Sequence, residues 1–286
     1  MDTSRILLDV GGTFIKCSDG RVIPIDSAGK RDSIVESLRT AVGDAHEVAV
    51  AIPGPFDYDR GIFLMKHKFA AVYGERFEDL VKISPRASLG RDDNTVISSP
   101  PFVISSEVEK SRFRFIHDVN AMLLGEMASG AGKGYDRVAL VTLGTGLGFA
   151  MSIDGKLNNN EMGSPAVPLW NRPYGKGILE DYVSKRGFLR GFPEGLTVKD
   201  LAMKANKGDS AALFRFADAG AVLAQSIAPI LEEYRIECLL FGGQISRSFN
   251  LFSPAVRTGL ANVSTLKQIS RVSDIGAATF NGLKTL

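Results

Sequence analysis

The stretch ILLDVGGTFIKCSDG, residues 6–20, decides how the chain folds. ILLDV reads as a short buried strand, Gly11-Gly12-Thr13 as a glycine turn, and FIKCS as a second strand. Asp19-Gly20 predicts a hairpin, because a type I′ turn requires positive φ at both central residues. RVIPID (21–26) then returns as a third strand. Ile34, Leu38 and Val42 follow at helical spacing, and EVAVAIPG (47–54) supplies a further strand.

The same order recurs in the second half. VALVTL (138–143) is a strand, Gly144-Thr145-Gly146 a tight turn, LGFAMSI (147–153) a second strand, and Asp154-Gly155 again a hairpin signal. ECLLFGG (237–243) occupies the place of EVAVAIPG. The matched order predicts an internal duplication, two α/β domains of one topology each led by a hairpin with a glycine-rich tip. Two unrelated glycine hairpins are the alternative.

Glycine at such tips lets backbone N–H groups approach an anion without a Cβ in the way. A carboxylate beside one tip, as with Asp9, suits Mg²⁺ or its waters, because Mg²⁺ takes oxygen ligands and keeps part of its hydration shell. Two such tips facing across a cleft suit a nucleotide polyphosphate, although either one alone reads as an ordinary turn. GAGKGY (130–135) lacks the spacing and the hydroxyl of a P-loop, and neither a dinucleotide GxGxxG nor HExxH occurs.

Composition narrows the class. A length of 286 residues suits one large or two ordinary domains, and 44% hydrophobic with 23% charged residues describes a globular chain with a core. A net charge of +2 gives no footprint for nucleic acid or a membrane surface. No apolar run approaches the roughly 20 residues of a bilayer span, and no signal-peptide pattern opens the chain. Cys17 and Cys238 make neither a disulfide framework nor a cysteine-rich zinc site. The expected location is the cytoplasm.

Between the duplicated units lies RFRFIHDVNAMLLGEMASGAGKG (112–134). FRFI reads as a strand, and Gly130 and Gly132 mark the exit of the helix that follows. Asp118 stands where strand gives way to helix, a position that serves a plain N-cap or a catalytic base.

Taken together, DVGGTFIK, AIPGPFD, HDVNAMLLGE, LVTLGTGLGFAMSIDGKL, EMGS and LLFGGQIS follow the order of motifs in the ROK family of sugar kinases and repressors, which the chain resembles over nearly its whole length. The resemblance implies an α/β fold of two duplicated ribonuclease H-like, actin-like ATPase domains around a cleft. The expected division is 1–115 and 116–286, with a C-terminal helix at about 273–286 packing back onto the first domain. The repressor branch carries a helix-turn-helix ahead of the first phosphate loop; DVGGT starts at residue 9, which disfavours that branch.

By the resemblance, Asp9, Gly11, Gly12, Thr13 and Lys16 match the first phosphate loop and Gly144, Thr145 and Gly146 the second. Gly242 and Gly243 match the adenosine loop. Asp118 matches the aspartate that takes the proton from the sugar hydroxyl. The implied activity is ATP-dependent phosphorylation of a hexose or N-acetylhexosamine, with ATP and Mg²⁺ as cofactors, a small-molecule sugar as partner, and a homodimer as a plausible assembly.

The chain departs from the family pattern in three places. His117 stands where the family has a sugar-binding Asn, and is read as either a sugar contact or a structural hydrogen-bonder. Ser164 replaces a zinc-binding His, and Tyr174, Lys176 and Ile178 fall where the family has zinc-binding cysteines, so no structural zinc is expected. Packing by Tyr174, Ile178 and Leu179 is expected to hold that loop instead. Asn120, Glu161 and Glu180 remain sugar-binding candidates, with solvated surface residues as the alternative for the two glutamates. Residues 84–112, rich in Ser, Pro and charge, read as a surface insertion, or alternatively a substrate lid. These departures keep two rivals open: a sugar-sensing binding protein with little turnover, and a kinase for a non-sugar acceptor.

Overall fold

A computed structural model of the chain describes residues 5–82 and 113–286. The expected insertion at 84–112 lies outside the described residues. The first half runs β1 (Arg5–Val10), β2 (Phe14–Cys17), β3 (Val22–Pro24), α1 (Arg31–Val42) and β4 (Glu47–Ile52). It continues through a small hairpin of β5 (Phe56–Asp57) and β6 (Ile62–Phe63), the short helix α2 (Phe77–Val81), and β7 (Phe113–His117). Helix α3 (Asp118–Ser129) leads into the second half.

There, β8 (Val138–Leu143), β9 (Leu147–Ile153) and β10 (Lys156–Leu157) form a meander, followed by the hairpin of β11 (Pro173–Tyr174) and β12 (Gly177–Ile178). Helices α4 (Glu180–Val183), α5 (Lys185–Leu189), α6 (Val198–Asn206) and α7 (Ser210–Glu233) precede β13 (Cys238–Gly242), α8 (Phe249–Gly259), β14 (Gln268–Arg271) and α9 (Ala278–Leu283).

The duplication is visible in the sheets. One has the order β3-β2-β1-β4-β7 and the other β10-β9-β8-β13-β14. In each, the three meander strands pair antiparallel and the two outer strands add parallel to the first. This repeated order is the ribonuclease H-like arrangement of actin-like ATPases. Ile34, Leu38 and Val42 bury the stripe of α1 against the first sheet.

The two meanders turn differently. Asp154 (φ 52°) and Gly155 (φ 76°) form the expected two-residue turn with positive φ at both positions. The first meander does not. Only Gly20 has positive φ (92°), its N–H donates to the Cys17 carbonyl at 3.0 Å, and the Cys17 N–H donates to the Arg21 carbonyl at 2.9 Å. The connection is therefore a three-residue loop with glycine at its left-handed position. The Asp19 carboxylate accepts the Arg21 N–H at 3.0 Å and its Nε at 2.6 Å, which favours this longer turn.

Helix α9 is shorter than the 273–286 expected, and it packs on α3. Leu283 joins Leu7, Ala49, Ala51, Ile116 and Ala121 in one apolar cluster, with Phe280 and Leu286 at its edge. The C-terminal helix thus reaches the first sheet. Helix α7 contains an 18-residue window of mean hydropathy 1.2 and by length and composition could cross a membrane, although Arg215 and Asp218 interrupt its apolar run. It serves as the central core helix of the second half, burying Phe216, Leu223, Ile227 and Leu231.

Candidate active site

The two glycine loops are built alike, three residues each, and close on different hydrogen bonds. Residues 11–13 join β1 to β2, and the Gly11 N–H closes the loop on the Phe14 carbonyl at 2.9 Å. Residues 144–146 join β8 to β9, where the Gly144 N–H donates to the Gly146 carbonyl at 3.0 Å. The N–H groups of Gly12, Thr13, Thr145 and Gly146 donate to no protein group among the described residues. Thr13, Thr145 and Gly146 are exposed, and a Cβ on Gly144 would project into open space. Two loops with outward, unpaired N–H groups fit an anionic ligand such as a polyphosphate.

Each loop is held from behind. The Ser27 N–H donates to the Gly12 carbonyl at 3.1 Å. On the second loop the Lys185 N–H donates to the Gly144 carbonyl at 2.8 Å, and Glu180 Oε2 accepts the Leu147 N–H at 2.9 Å. Glu180 Oε1 accepts from Arg186 at 2.9 Å. Glu180 thus clamps the second glycine loop, while each of its oxygens retains a second lone pair for a hydroxyl.

Asp9, at the end of β1, accepts from Lys16 Nζ at 3.0 Å, its cross-strand neighbour. Burial pushes the Asp9 carboxyl up, Lys16 acts against this, and the charge of Asp118 adds to the rise. Asp9, beside the first glycine loop, offers the carboxylate oxygens that would suit Mg²⁺ or its water shell, and no group of three or more His, Cys, Asp or Glu side chains placed to hold a metal ion occurs among the described residues.

Asp118 opens α3, and the position of the cap differs from expectation. His117 is the N-cap residue, and Asp118 the first helical one. Asp118 Oδ1 lies 2.9 Å from His117 Nδ1 and 2.8 Å from the Val119 nitrogen, whereas His117 Nδ1 is 3.3 Å from that nitrogen. The shorter Val119 contact gives that N–H to Asp118 and leaves His117 Nδ1–H free to donate to the carboxylate. Burial pushes the Asp118 carboxyl up, but the His117 charge, the two hydrogen bonds and Lys68 outweigh it and hold the group below its ordinary value. With 39% of its side chain exposed, this ionised carboxylate is open to a hydroxyl.

Around it lies a polar cluster. Asn120, 1% exposed, donates Nδ2 to Asn159 Oδ1 at 2.8 Å and to the Gly163 carbonyl at 3.3 Å, while its Oδ1 is buried without a partner among the described residues. Tyr58 donates to the Ile52 carbonyl at 2.9 Å, and its ring stands 5.9 Å from that of His117. Burial and then the charge of Asp118 push the Tyr58 phenol well above its usual value, with a Ser164 hydrogen bond acting the other way. Glu161 is exposed in the turn closed by Asn160 and Gly163.

Gly242 and Gly243 serve close packing within the protein. A Cβ on Gly242 would crowd Met122 Sδ at 2.6 Å, and one on Gly243 (φ 79°) would overlap the Leu143 carbonyl. The exit of β13 is thereby pressed against the strand that enters the second glycine loop. The positions expected to replace the zinc-binding cysteines lie in the β11–β12 hairpin. Tyr174 and Tyr182 meet edge-on at 4.9 Å, the Ile178 N–H donates to Asp181 at 3.0 Å, and Leu179 is fully buried.

A family model described as the ROK family matches residues 103–281. The chain belongs to the ROK family. The glucokinase of Thermotoga maritima is 31% identical over 215 residues, which cover 61% of this chain and 67% of that one. The glucokinase of Streptomyces coelicolor is 25% identical over 171 residues, and the match spans about half of each chain, 49% and 54%. In three dimensions the chain is similar to a ROK family glucokinase from Streptomyces griseus in complex with glucose and AMPPNP, with TM-score 0.72, 21% identity, and coverage of 98% and 97%. It is also similar to a ROK family transcriptional regulator homologous to the Escherichia coli MLC protein, with TM-score 0.70, 17% identity, and coverage of 98% and 77%. At these identities the structural likeness shows the fold alone.

Three residues of this ROK family site went unremarked in the sequence. Tyr58 follows directly on AIPGPFD, but a lone tyrosine beyond a motif carries no signal. Ser27 and Lys68 come from loops whose approach to Gly12 is purely tertiary: a Cβ on Gly12 would lie 3.2 Å from Ser27 Oγ and 3.8 Å from Lys68 Cε. Only the fold brings them there.

Proposed function

We propose that this ROK family protein is an ATP-dependent sugar kinase that phosphorylates a hydroxyl of a hexose or an N-acetylhexosamine, with Asp118 as general base. The observation that carries this reading is an ionised, solvent-reachable Asp118 carboxylate whose charge is felt by Asp9 beside a glycine loop with unpaired N–H groups. The glucokinase relatives and the glucose- and nucleotide-bound neighbour support it.

In the proposed reaction the sugar hydroxyl oxygen bonds to the γ-phosphorus as the bond from that phosphorus to the bridging oxygen breaks. ADP leaves with the electron pair, and the hydroxyl proton passes to Asp118. Such a transfer runs through a loose transition state, so alignment and charge neutralisation supply most of the catalysis. The N–H groups of Gly12, Thr13, Thr145 and Gly146 would hold the phosphates, and Gly11 and Gly144 shape the two loops. Lys16 and Asp9 flank the first loop, where Asp9 would hold Mg²⁺ or its waters. Mg²⁺ there supplies neutralisation of phosphate oxygens. Gly242 and Gly243 would shape the wall for adenosine. His117, Asn120, Glu161 and Glu180 are the proposed sugar contacts, with the buried, unpartnered Asn120 Oδ1 as a ready acceptor. The proposed division is into domains 1–115 and 116–286, with α9 returning to the first.

One observation favours a second reading, a sugar-binding sensor with little turnover. His117 is committed to Asp118, and Ser164 replaces the family's zinc-binding His, so one sugar contact and one zinc ligand of the family pattern differ. A coupled ADP-release assay over hexoses and N-acetylhexosamines separates the two. Sugar-dependent ADP release is expected. Saturable sugar binding by calorimetry without ADP release would replace the kinase with the sensor.

A further inference from the structure

Lys68 lies outside every motif of the sequence, yet its side chain reaches the first glycine loop. Its Cε and Cδ stand 3.8 and 3.9 Å from where a Gly12 Cβ would be. The chain is anchored at this point. Phe69, fully buried, adopts φ 52°, a left-handed conformation costly for a bulky side chain, and its N–H donates to the Ser27 carbonyl at 2.5 Å. Ser27 in turn donates its own N–H to the Gly12 carbonyl. One continuous set of hydrogen bonds therefore ties the backbone beside Lys68 to the loop.

Among the described residues the charge of Lys68 has no ion-pair partner. Lys16 is paired with Asp9, and Lys66 sits over the Tyr73 ring at 5.6 Å. Half-buried Lys68 makes no ion pair or hydrogen bond among the described residues. Its charge is nonetheless felt by Asp118. A cation with no ion pair among the described residues thus reaches the first glycine loop and is near enough for the Asp118 carboxylate to feel its charge.

We propose that the Lys68 ammonium contacts the γ-phosphoryl oxygens of bound ATP and neutralises their charge as the group passes from the glycine loops toward Asp118. This rests on the kinase reading for its catalytic part, while the phosphate contact itself can be tested without turnover. An ammonium fixed at developing phosphoryl charge is a strong stabiliser because it needs no reorganisation during the reaction.

The test compares wild type with Lys68→Met, which keeps the stem against Gly12, and with Lys68→Arg, which keeps the charge. First, ATP and ADP dissociation constants are measured by calorimetry with Mg²⁺. Loss of a charge-assisted contact should weaken ATP by about tenfold to hundredfold and leave ADP nearly unchanged. Second, kcat is followed across pH with the sugar that gives most ADP release. In Lys68→Met it should fall by about 10²–10³-fold, including on the alkaline plateau, with partial recovery in Lys68→Arg. The groups facing Asp118 are His117, Lys68, Asp9 and Tyr58. If Lys68 acted only by keeping Asp118 ionised, raising the pH would restore Lys68→Met to the wild-type rate, and that overturns the proposal. An unchanged ratio of ATP to ADP affinity overturns it equally. A wild type that binds ATP without phosphorylating any sugar, but loses its preference for ATP in Lys68→Met, would support the contact while the kinase reading fails.

Discussion

Gly125 of α3 and Gly282 of α9 meet at a helix crossing that leaves no room for a methyl group on either: a Cβ at Gly125 would overlap the Ala278 carbonyl, and one at Gly282 the Ala121 carbonyl. Ala121 and Gly125 are four residues apart on one helix, as are Ala278 and Gly282 on the other, so each helix presents a small-residue face to its partner. The contact seats Leu283 on the first sheet. Gly282→Ala must push the helices apart. Overpacking of this kind costs about 1–3 kcal/mol, which in a chain of this size lowers Tm by several degrees, about 2–4 °C per kcal/mol. Thermal and urea denaturation check this, and an unchanged Tm would mean the crossing is looser than described.

Gly144→Ala is expected to behave in the opposite way. Its Cβ meets nothing within 4 Å and its φ is not in the left-handed region, so the fold has no reason to resist it. Stability should stay within about 0.5 kcal/mol of wild type, as for a surface change away from any packed feature. If open space beside the second loop is where phosphate sits, the added methyl weakens nucleotide binding. Calorimetry with ATP reads this directly, and wild-type affinity in Gly144→Ala would remove that residue from the phosphate site.

Asp118→Asn tests the base. The amide keeps the size of the side chain and an oxygen for the Val119 N–H, and the helix retains His117 as its N-cap, so Tm should change little. An amide cannot take up the hydroxyl proton, and loss of a general base typically costs about 10²–10⁴-fold in kcat. ATP affinity should hold, because the glycine loops are formed by other strands. A kcat near wild type would leave Asp118 as a helix-start residue alone.

The duplicated fold was legible because strands, glycine turns and hairpins repeat in one order, and local signals of this kind survive in sequence. The places of Asp9, the two glycine loops and Asp118 in the fold were legible for the same reason, as each lies at or beside a strand end, whereas their proposed roles came from the family resemblance. The turn at Asp19-Gly20 was misread because Asp-Gly signals a turn without fixing its length, which Asp19 sets through its bonds to Arg21. The cap at Asp118 fell one residue early because histidine is not a strong capping signal. Lys68, Ser27 and Tyr58 were illegible on physical grounds, since their place in the site depends on contacts between segments far apart in sequence.

His117→Asn separates ionisation from capping. Asparagine is a strong N-cap residue, so the start of α3 should persist. What disappears is the imidazole, the largest of the influences that keep the Asp118 carboxyl below its ordinary value against the upward push of burial. The Val119 N–H and Lys68 remain as counterweights, with Asp9 and Tyr58 also facing the group. The Asp118 titration should therefore move to higher pH. In wild type, a depressed carboxyl contributes stability that is present above its unfolded value and lost as pH falls through the folded one. In His117→Asn that contribution shrinks, and the loss is complete at a higher pH, because the folded value lies nearer the unfolded one. NMR titration of the carboxyl carbon, assigned with Asp118→Asn, reads the shift directly, and the acid limb of kcat/KM should follow it upward. Superimposable titrations would show that His117 orients Asp118 without setting its charge.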